Sequence, residues 1–298
     1  MPASNPVPTT YRRKPPWLRT RPVASEAFGE VRRLMRDNRL TTVCEEARCP
    51  NIHECWGVHR TATFMILGSV CTRRCRFCSV DTGLPTELDL AEPERVADAV
   101  FKMQLRHVVV TMVTRDDLGD GGAAVCAATV AAIRAVSRCS VELLTSDLGG
   151  SREAISAVVA AAPEVLSHNV ETVPRLTRQV RSNSTYERSL GFLKTARGIG
   201  PDLLIKSSLM VGLGETRDEV LATMRDLRAA GVQIVNIGQY LQPTPQQQSV
   251  VRYWHPDEFA ELRKAARAMG FMHCEAGPFV RSSYHAGDQF SELAATSE

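Results

Sequence analysis

The chain has 298 residues, 44% hydrophobic and 23% charged, with a formal net charge of +3. That composition belongs to an ordinary globular protein and excludes disordered, collagen-like and coiled-coil classes. The charge is too mild to argue for nucleic acid, no apolar run approaches the roughly 18 residues of a membrane span, and the N-terminus lacks the apolar core of a secretory signal.

Residues 1–24 are rich in Pro, Ser and Thr and read as an extended arm, either a solvated tail or a strap over the surface. Arg12, Arg13, Lys14, Arg19 and Arg21 come without an acid, as in an organelle transit peptide, but Pro2, Pro6, Pro8, Pro15, Pro16 and Pro22 break any amphipathic helix. Phe28, Val31 and Met35, at i, i+3 and i+7, predict a short helix next.

From residue 61 a regular alternation begins. Strand-length apolar runs stand at Thr61–Leu67, His107–Val113, Val141–Leu144, Val165–Val170, Leu203–Val211 and Val232–Ile237. Helical stripes lie between them: Val96, Val100 and Met103; the Ala-rich run 123–136; Tyr186, Leu190 and Leu193; and Val220, Met224 and Leu227. Thr216 and Glu219 stand at capping-box spacing before the last stripe. Six strands alternating with helices predict βαβ units in a parallel sheet. Six repeats fall short of a full eight-fold barrel, so a partial (β/α)6 TIM-like barrel is expected, with an open doubly wound sheet as the alternative. The expected division is an N-terminal extension over 1–60, the barrel over 61–255 and a C-terminal extension over 256–298. Polar or Gly-rich segments follow several strands, at 114–117, 168–171 and 212–215, and form the expected active-site rim.

Nine cysteines in a chain with no export signal argue against a disulfide framework. Six of them fall between Cys44 and Cys78. Cys44, Cys49 and Cys55 are spaced C-x4-C-x5-C; Cys71, Cys75 and Cys78 are spaced C-x3-C-x2-C directly after the first strand. Three thiolates on one tight loop suit three corners of a [4Fe–4S] cubane and leave one iron open to a small molecule. Zinc is the competing reading, because His53 and His59 complete a Cys3His set with the first triad. Cys126, Cys139 and Cys274 read as small buried hydrophobes.

The loop from Cys71 to Cys78 resembles the signature of the radical S-adenosylmethionine (SAM) enzymes. The run Val43–Asn51 with Cys55-Trp56 narrows the resemblance to the lipoyl synthase family. Arg115-Asp116-Asp117, Asp120-Gly121-Gly122, the segments 169–176, 210–216 and 238–243, and Arg281-Ser282-Ser283-Tyr284 resemble the same family. The likeness runs from about Lys14 to His285.

The resemblance implies insertion of two sulfur atoms at C6 and C8 of an octanoyl chain, carried as an amide on a lysine of a lipoyl-carrier protein. It implies two [4Fe–4S] clusters and SAM as cofactors. Cys71, Cys75 and Cys78 would hold the cluster that cleaves SAM to a 5′-deoxyadenosyl radical. Cys44, Cys49, Cys55 and Ser283 would hold a sacrificial sulfur-donor cluster, with Arg281 and Tyr284 positioning the serine or substrate. An alkoxide is a hard ligand for a soft iron–sulfur centre, which suits a cluster that is dismantled. Asn169, Glu171 and Arg181 are expected to contact SAM, and residues 210–215 to offer backbone groups to it. Arg73, Arg74 and Arg76 read as a docking face for an acidic partner or as a solvated loop face.

The implied partners are octanoylated glycine cleavage H protein or 2-oxoacid dehydrogenase E2 lipoyl domains, a low-potential electron donor and an iron–sulfur carrier for cluster repair; neither nucleic acid nor a membrane is expected. The expected location is the cytoplasm rather than an organelle matrix. Ser79, Met112, Thr114, Thr145, Ser146 and Ser208 depart from the family pattern. The alternatives are a biotin synthase-like radical SAM enzyme, which would not need the first triad or the serine, and a non-enzymatic iron–sulfur electron-transfer protein.

Overall fold

A computed structural model describes residues 13–19, 25–59 and 61–295. Most of the N-terminal arm lies outside the described residues, but residues 13–19 lie on the body of the protein. Leu18 is buried, and Trp17 packs edge-on against His255 at 4.9 Å. That short stretch behaves as a strap.

Helix α1 (Glu26–Asp37) begins where the Ser25 hydroxyl accepts a hydrogen bond from the Phe28 N–H, and it buries Val31 and Met35 of the expected stripe. The edge strand β1 (Thr41–Thr42) leads into two short helices, α2 (Val43–Glu46) and α3 (Ile52–Gly57). Strand β2 (Thr63–Ile66) follows, and the small pair β3 (Val70–Cys71) and β4 (Asp81–Thr82) brackets the second cysteine triad. The alternation then runs α4 (Glu92–Met103), β5 (His107–Met112), α5 (Ala123–Val136), β6 (Ser140–Leu144), α6 (Arg152–Ala160), β7 (Val165–Ser167), α7 (Pro174–Val180), α8 (Tyr186–Ile199), β8 (Leu204–Val211), α9 (Arg217–Ala229) and β9 (Ile234–Gln239). Helix α10 (Pro256–Ala268), β10 (His273–Gly277) and α11 (Ala286–Ala295) complete the chain.

The main sheet has the order β1-β2-β5-β6-β7-β8-β9-β10. Only the β1–β2 edge is antiparallel; every other neighbouring pair is parallel. The six expected strands form its core, and the sheet is open, as a partial barrel requires. It extends beyond them through β10, whose half-buried HCEAG sequence carries a weak apolar signal. Strand β7 is shorter than its apolar run, because Glu171 turns into the left-handed region (φ 66°) and leaves the ladder, pairing only as a bridge with Leu209. The capping box of α9 is present as the sequence predicts.

Most strand residues are buried on both faces, as expected where helices cover a parallel sheet. The N-terminal ends of the strands are closed by α11. Its Phe290 and Leu293 pack with Val165, Leu204 and Ile234, each at or near the start of its strand, and Phe290 stacks on His107 at 5.8 Å. Above that plug lies a buried ion pair, Lys206 Nζ to Glu142 Oε2 at 2.9 Å, with the Ser167 hydroxyl donating to Glu142 Oε1 at 2.8 Å. With this end filled, the open end of the barrel is the C-terminal one. Lys206→Met leaves Glu142 charged and buried, so it should cost about 3–5 kcal/mol, while Lys206→Met/Glu142→Gln should recover much of that loss. Urea unfolding midpoints of the three proteins check this.

Candidate functional site

The C-terminal strand ends surround one cavity of about 490 Å³. The loops after β2, β5, β6, β7, β9 and β10 reach it, β8 lends Ser208, Leu209 and Met210 from within the strand, and α2 with residues 47–50 closes one side. Thiols of both triads face it: Cys44 and Cys49 from the first, and Cys71, Cys75 and Cys78 from the second. Lys14 of the strap also reaches its wall.

The first triad is assembled by two short helices. Thr42 caps α2 by accepting from the Glu45 N–H, which sets Cys44 facing inward, and Cys55 sits on α3. The remote segment 279–285 is fastened against it by several side chains. Asn51 donates to the Phe279 carbonyl at 2.7 Å, and Tyr284 donates to Glu54 Oε1 at 3.1 Å. Asn236 of β9 donates to the carbonyls of Arg281 and Ser282, each at 3.0 Å. Gly238 makes the approach possible, since a Cβ there would lie 2.1 Å from the Val280 carbonyl oxygen. Ser283 therefore stands at the first triad: its hydroxyl accepts from Thr63 Oγ1 at 2.8 Å, and Thr63 also hydrogen-bonds Cys44. Burial pulls the Arg281 guanidinium down, and attraction to Cys49 opposes that. The sequence reading includes Ser283, and Gly238 only as part of a family-like segment, but not Thr63 or Asn236, whose partners lie 220 and 45 residues away.

The second triad is held by Arg73. This side chain is buried, which corrects both sequence readings of it as a docking or solvated residue; Arg74 and Arg76 are exposed. Arg73 forks onto Asp116 at 2.7 and 2.8 Å and onto Asp147 at 2.7 and 2.9 Å. Burial alone would push the Asp147 carboxyl up, but the hydrogen bonds and charge of Arg73 hold it well below the usual range. Ser184 and Arg188 also donate to Asp147, at 2.9 and 3.0 Å. The loop between Cys71 and Cys75 is thus tied to the ends of β5 and β6 and to the start of α8.

Asn169, Glu171 and Arg181 all line the cavity. Asn169 donates to Glu171 Oε1 at 3.1 Å, and Arg181 donates to Ser189 Oγ at 2.7 Å. Burial pushes the Glu171 carboxyl up, with Arg181 and Asn169 opposing. Asn169 Oδ1, Arg181 Nε, Thr145 Oγ1 and Ser208 Oγ are buried there without a hydrogen-bond partner, a demand for a polar ligand. His168, at about pKa 4 through burial, is neutral and donates or accepts only within the wall. The segment 210–215 differs from expectation. The Gly212 and Leu213 N–H groups donate to the Glu215 carboxylate at 2.6 and 2.9 Å, and Met210 N–H donates to the Glu171 carbonyl at 2.8 Å. Those donors stabilise the loop and are not free for a ligand.

All six departures from the family pattern, Ser79, Met112, Thr114, Thr145, Ser146 and Ser208, line this cavity. Ser79 donates to the Glu46 carbonyl at 2.6 Å and so braces α2.

The donor set fits clusters of several metal ions rather than single ions. Sulfurs around a tetrahedral zinc lie about 3.8 Å apart, whereas among the described residues neither triad brings three sulfurs within 4.8 Å of one another. His53 does not complete a site either; it stacks on Phe28 at 4.9 Å. All nine cysteines are free. Burial pushes Cys55 and Cys78 up to about 12 and Cys44 up to about 11, with neighbouring thiolates adding to the rise. A bound metal reverses that penalty, because it deprotonates a coordinating thiol outright.

The radical SAM superfamily model matches residues 65–227, and the model of the N-terminal domain of lipoyl synthase matches residues 7–49. The family likeness thus begins ahead of Lys14. The chain is 61% identical over 283 residues to a lipoyl synthase of Geobacillus kaustophilus (strain HTA426), covering 95% of each chain. It is 60% identical to that of Geobacillus thermodenitrificans (strain NG80-2), again over 95% of each. Among solved structures, methylornithine synthase superposes with a TM-score of 0.54 at 12% identity, over 85% of this chain and 82% of that one, which shows a shared fold.

Without metal, the folded chain keeps thiol protons that the unfolded chain releases near about pH 8.5. Stability present below that pH should therefore fall as pH rises from about 8.5 towards 12. Urea midpoints of the metal-free protein measured between about pH 8 and pH 10.5 should decrease, and Cys55→Ser/Cys78→Ser should flatten the slope.

Proposed function

The chain belongs to the lipoyl synthase family, and from that premise we propose how its residues share the work of a radical SAM enzyme that inserts sulfur. Cys71, Cys75 and Cys78 hold the [4Fe–4S] cluster that binds SAM, leaving one iron without a protein ligand. Cys44, Cys49, Cys55 and Ser283 hold a second, auxiliary [4Fe–4S] cluster. The observation that carries this reading is the single cavity onto which thiols of both triads and Ser283 open. When bound, these groups supply the one-electron chemistry that breaks unactivated C–H bonds and the sulfur that replaces the hydrogens, which no acid or base side chain provides.

The protein's own part is placement. Arg73, anchored on Asp116 and Asp147, keeps the second triad in register with the strand ends. Asn169, Glu171 and Arg181 orient SAM, and the unpartnered atoms of Asn169, Arg181, Thr145 and Ser208 are the donors and acceptors available to it. Met65, Val113, Leu144, Leu209 and Leu241 form an apolar wall suited to an octanoyl chain and exclude water from it. Holding the carbon that loses hydrogen beside the sulfur source is what makes transfer fast, since contact replaces diffusion. Thr63, donating to Ser283, supports the hydroxyl while leaving the serine the weakest tie of the auxiliary site.

The substrate is an octanoyl-lysine on a lipoyl-carrier protein. The exposed Arg74 and Arg76, on either side of Cys75, offer an acidic carrier domain a contact. A low-potential electron donor and an iron–sulfur carrier for repair complete the proposed partners. Among the described residues no helix is long and apolar enough to cross a membrane.

The test is anaerobic incubation of the reconstituted protein with SAM, a strong reductant and an octanoyl-lysyl peptide, read by mass spectrometry. Two sulfurs should be gained for two hydrogens lost. Cys75→Ala should abolish both SAM cleavage and sulfur gain. Ser283→Ala should lower sulfur gained per SAM cleaved by about 10–100-fold, the range seen when metal-site partners are removed. An unchanged ratio in Ser283→Ala overturns the serine's role, and an unchanged peptide beside cleaved SAM overturns the substrate.

A further inference from the structure

Glu54, His59 and His285 form a second constellation outside the cavity, in which Glu54 Oε1 also accepts from the Tyr284 hydroxyl that fastens the Ser283 segment. Glu54 lies on α3, His59 follows that helix, and His285 precedes α11. Their ligand atoms all lie within 4.8 Å of one another. Glu54 Oε1 stands 3.6 Å from His59 Nε2 and 3.6 Å from His285 Nε2. Around a tetrahedral zinc, nitrogen and oxygen ligands about 2.0–2.1 Å from the metal lie about 3.3 Å from one another. The cluster is therefore already close to the size that a single ion demands, in contrast to the two cysteine triads.

Three further features favour a metal over a simple contact between imidazoles and a carboxylate. His285 Nε2 is buried and has no hydrogen-bond partner, although a carboxylate faces it. The other ring nitrogen of His285 faces Asp288 at 3.9 Å, the carboxylate–histidine order that orients a metal-bound imidazole. His285 also adopts φ 53°, a left-handed conformation costly for a residue with a Cβ, and Tyr284 stacks on its ring at 4.0 Å. The side chains remain 44%, 43% and 36% exposed, which lets a hydrated cation enter and a water complete the coordination.

We infer that Glu54, His59 and His285 bind a divalent cation of the zinc class, stapling α3 to the segment that carries Ser283. Imidazole nitrogen and carboxylate oxygen are ligands that zinc accepts, with an open fourth position. The staple joins residues one and two positions from Cys55 and Ser283, so its occupancy restrains the two strands of chain that meet at the first triad. The site rests on nitrogen and oxygen donors alone.

The full chain, loaded with iron and sulfide anaerobically, is titrated with Zn²⁺ by calorimetry and examined by zinc X-ray absorption. One zinc per chain should bind, with a nitrogen and oxygen shell near about 2.0–2.1 Å and no sulfur. His59→Ala, at a side chain that is 43% exposed, and Glu54→Gln should each weaken binding by at least about 10–100-fold. The thermal midpoint should rise with zinc in the parent and not in His59→Ala. Undiminished affinity in His59→Ala, a sulfur shell near about 2.3 Å, or no uptake of zinc overturns the site. Iron content, measured on the same samples, separates a failure of cluster loading from a failure of zinc binding.

Discussion

The charge balance of one buried arginine holds the working end of this fold together. Arg73 and Asp147 are both out of water, and neither is tolerable there alone. Paired in a two-pronged fork, with Asp116 on the other face of the guanidinium, they turn a desolvation penalty into a rigid joint. That joint spans the cysteine loop after β2, the end of β5 and the end of β6. Through Ser184 and Arg188 it reaches α8 as well. A lysine has the charge but not the planar fork, so it cannot make both bridges together.

A second joint acts at the opposite side of the cavity. There the segments 51–63 and 279–284 meet, with Asn51, Glu54 and Thr63 on one side and Phe279, Ser283 and Tyr284 on the other. Asn236 and Gly238 of β9 supply the floor on which the returning segment lies. The closure entropy of so long a loop grows only slowly with its length. A few hydrogen bonds and the pairing of the half-buried β10 with β9 are enough to hold it. The two joints together fix both cysteine triads on one cavity, which the chemistry of contact between a carbon centre and a sulfur source demands.

The cavity wall is divided by function. Strand residues that continue the core give it apolar area, the segments after β6 and β7 give it Thr145, Asn169 and Glu171, β8 gives Ser208, and the end of α7 gives Arg181. Buried polar atoms without a partner fall on Asn169, Arg181, Thr145 and Ser208 of this group, and on Asn236 of β9. The Gly-rich turn after β8 looks like an open donor loop in sequence, yet Glu215 occupies its N–H groups and Trp254 Nε1 in turn donates to Glu215 at 2.9 Å. The turn lies outside the residues that line the cavity, and its N–H groups are spent within it.

The sequence by itself determined the six core strands, the α5 and α9 helices with the Thr216–Glu219 cap, and the two cysteine triads, because periodicity, capping and ligand spacing are local properties. It also marked Ser283 and the Asn169–Glu171–Arg181 set, through resemblance. It did not reveal β10, whose burial comes from docking on β9 rather than from its own residues, and it misread Arg73, whose partners lie 43 and 74 residues away. Nor did it show that Glu54, His59 and His285 converge, since they approach only when segments more than 200 residues apart are brought together. Local pattern sets what each segment becomes; the pairing of buried charges and the return of the C-terminal segment, both tertiary, decide which side chains share a site.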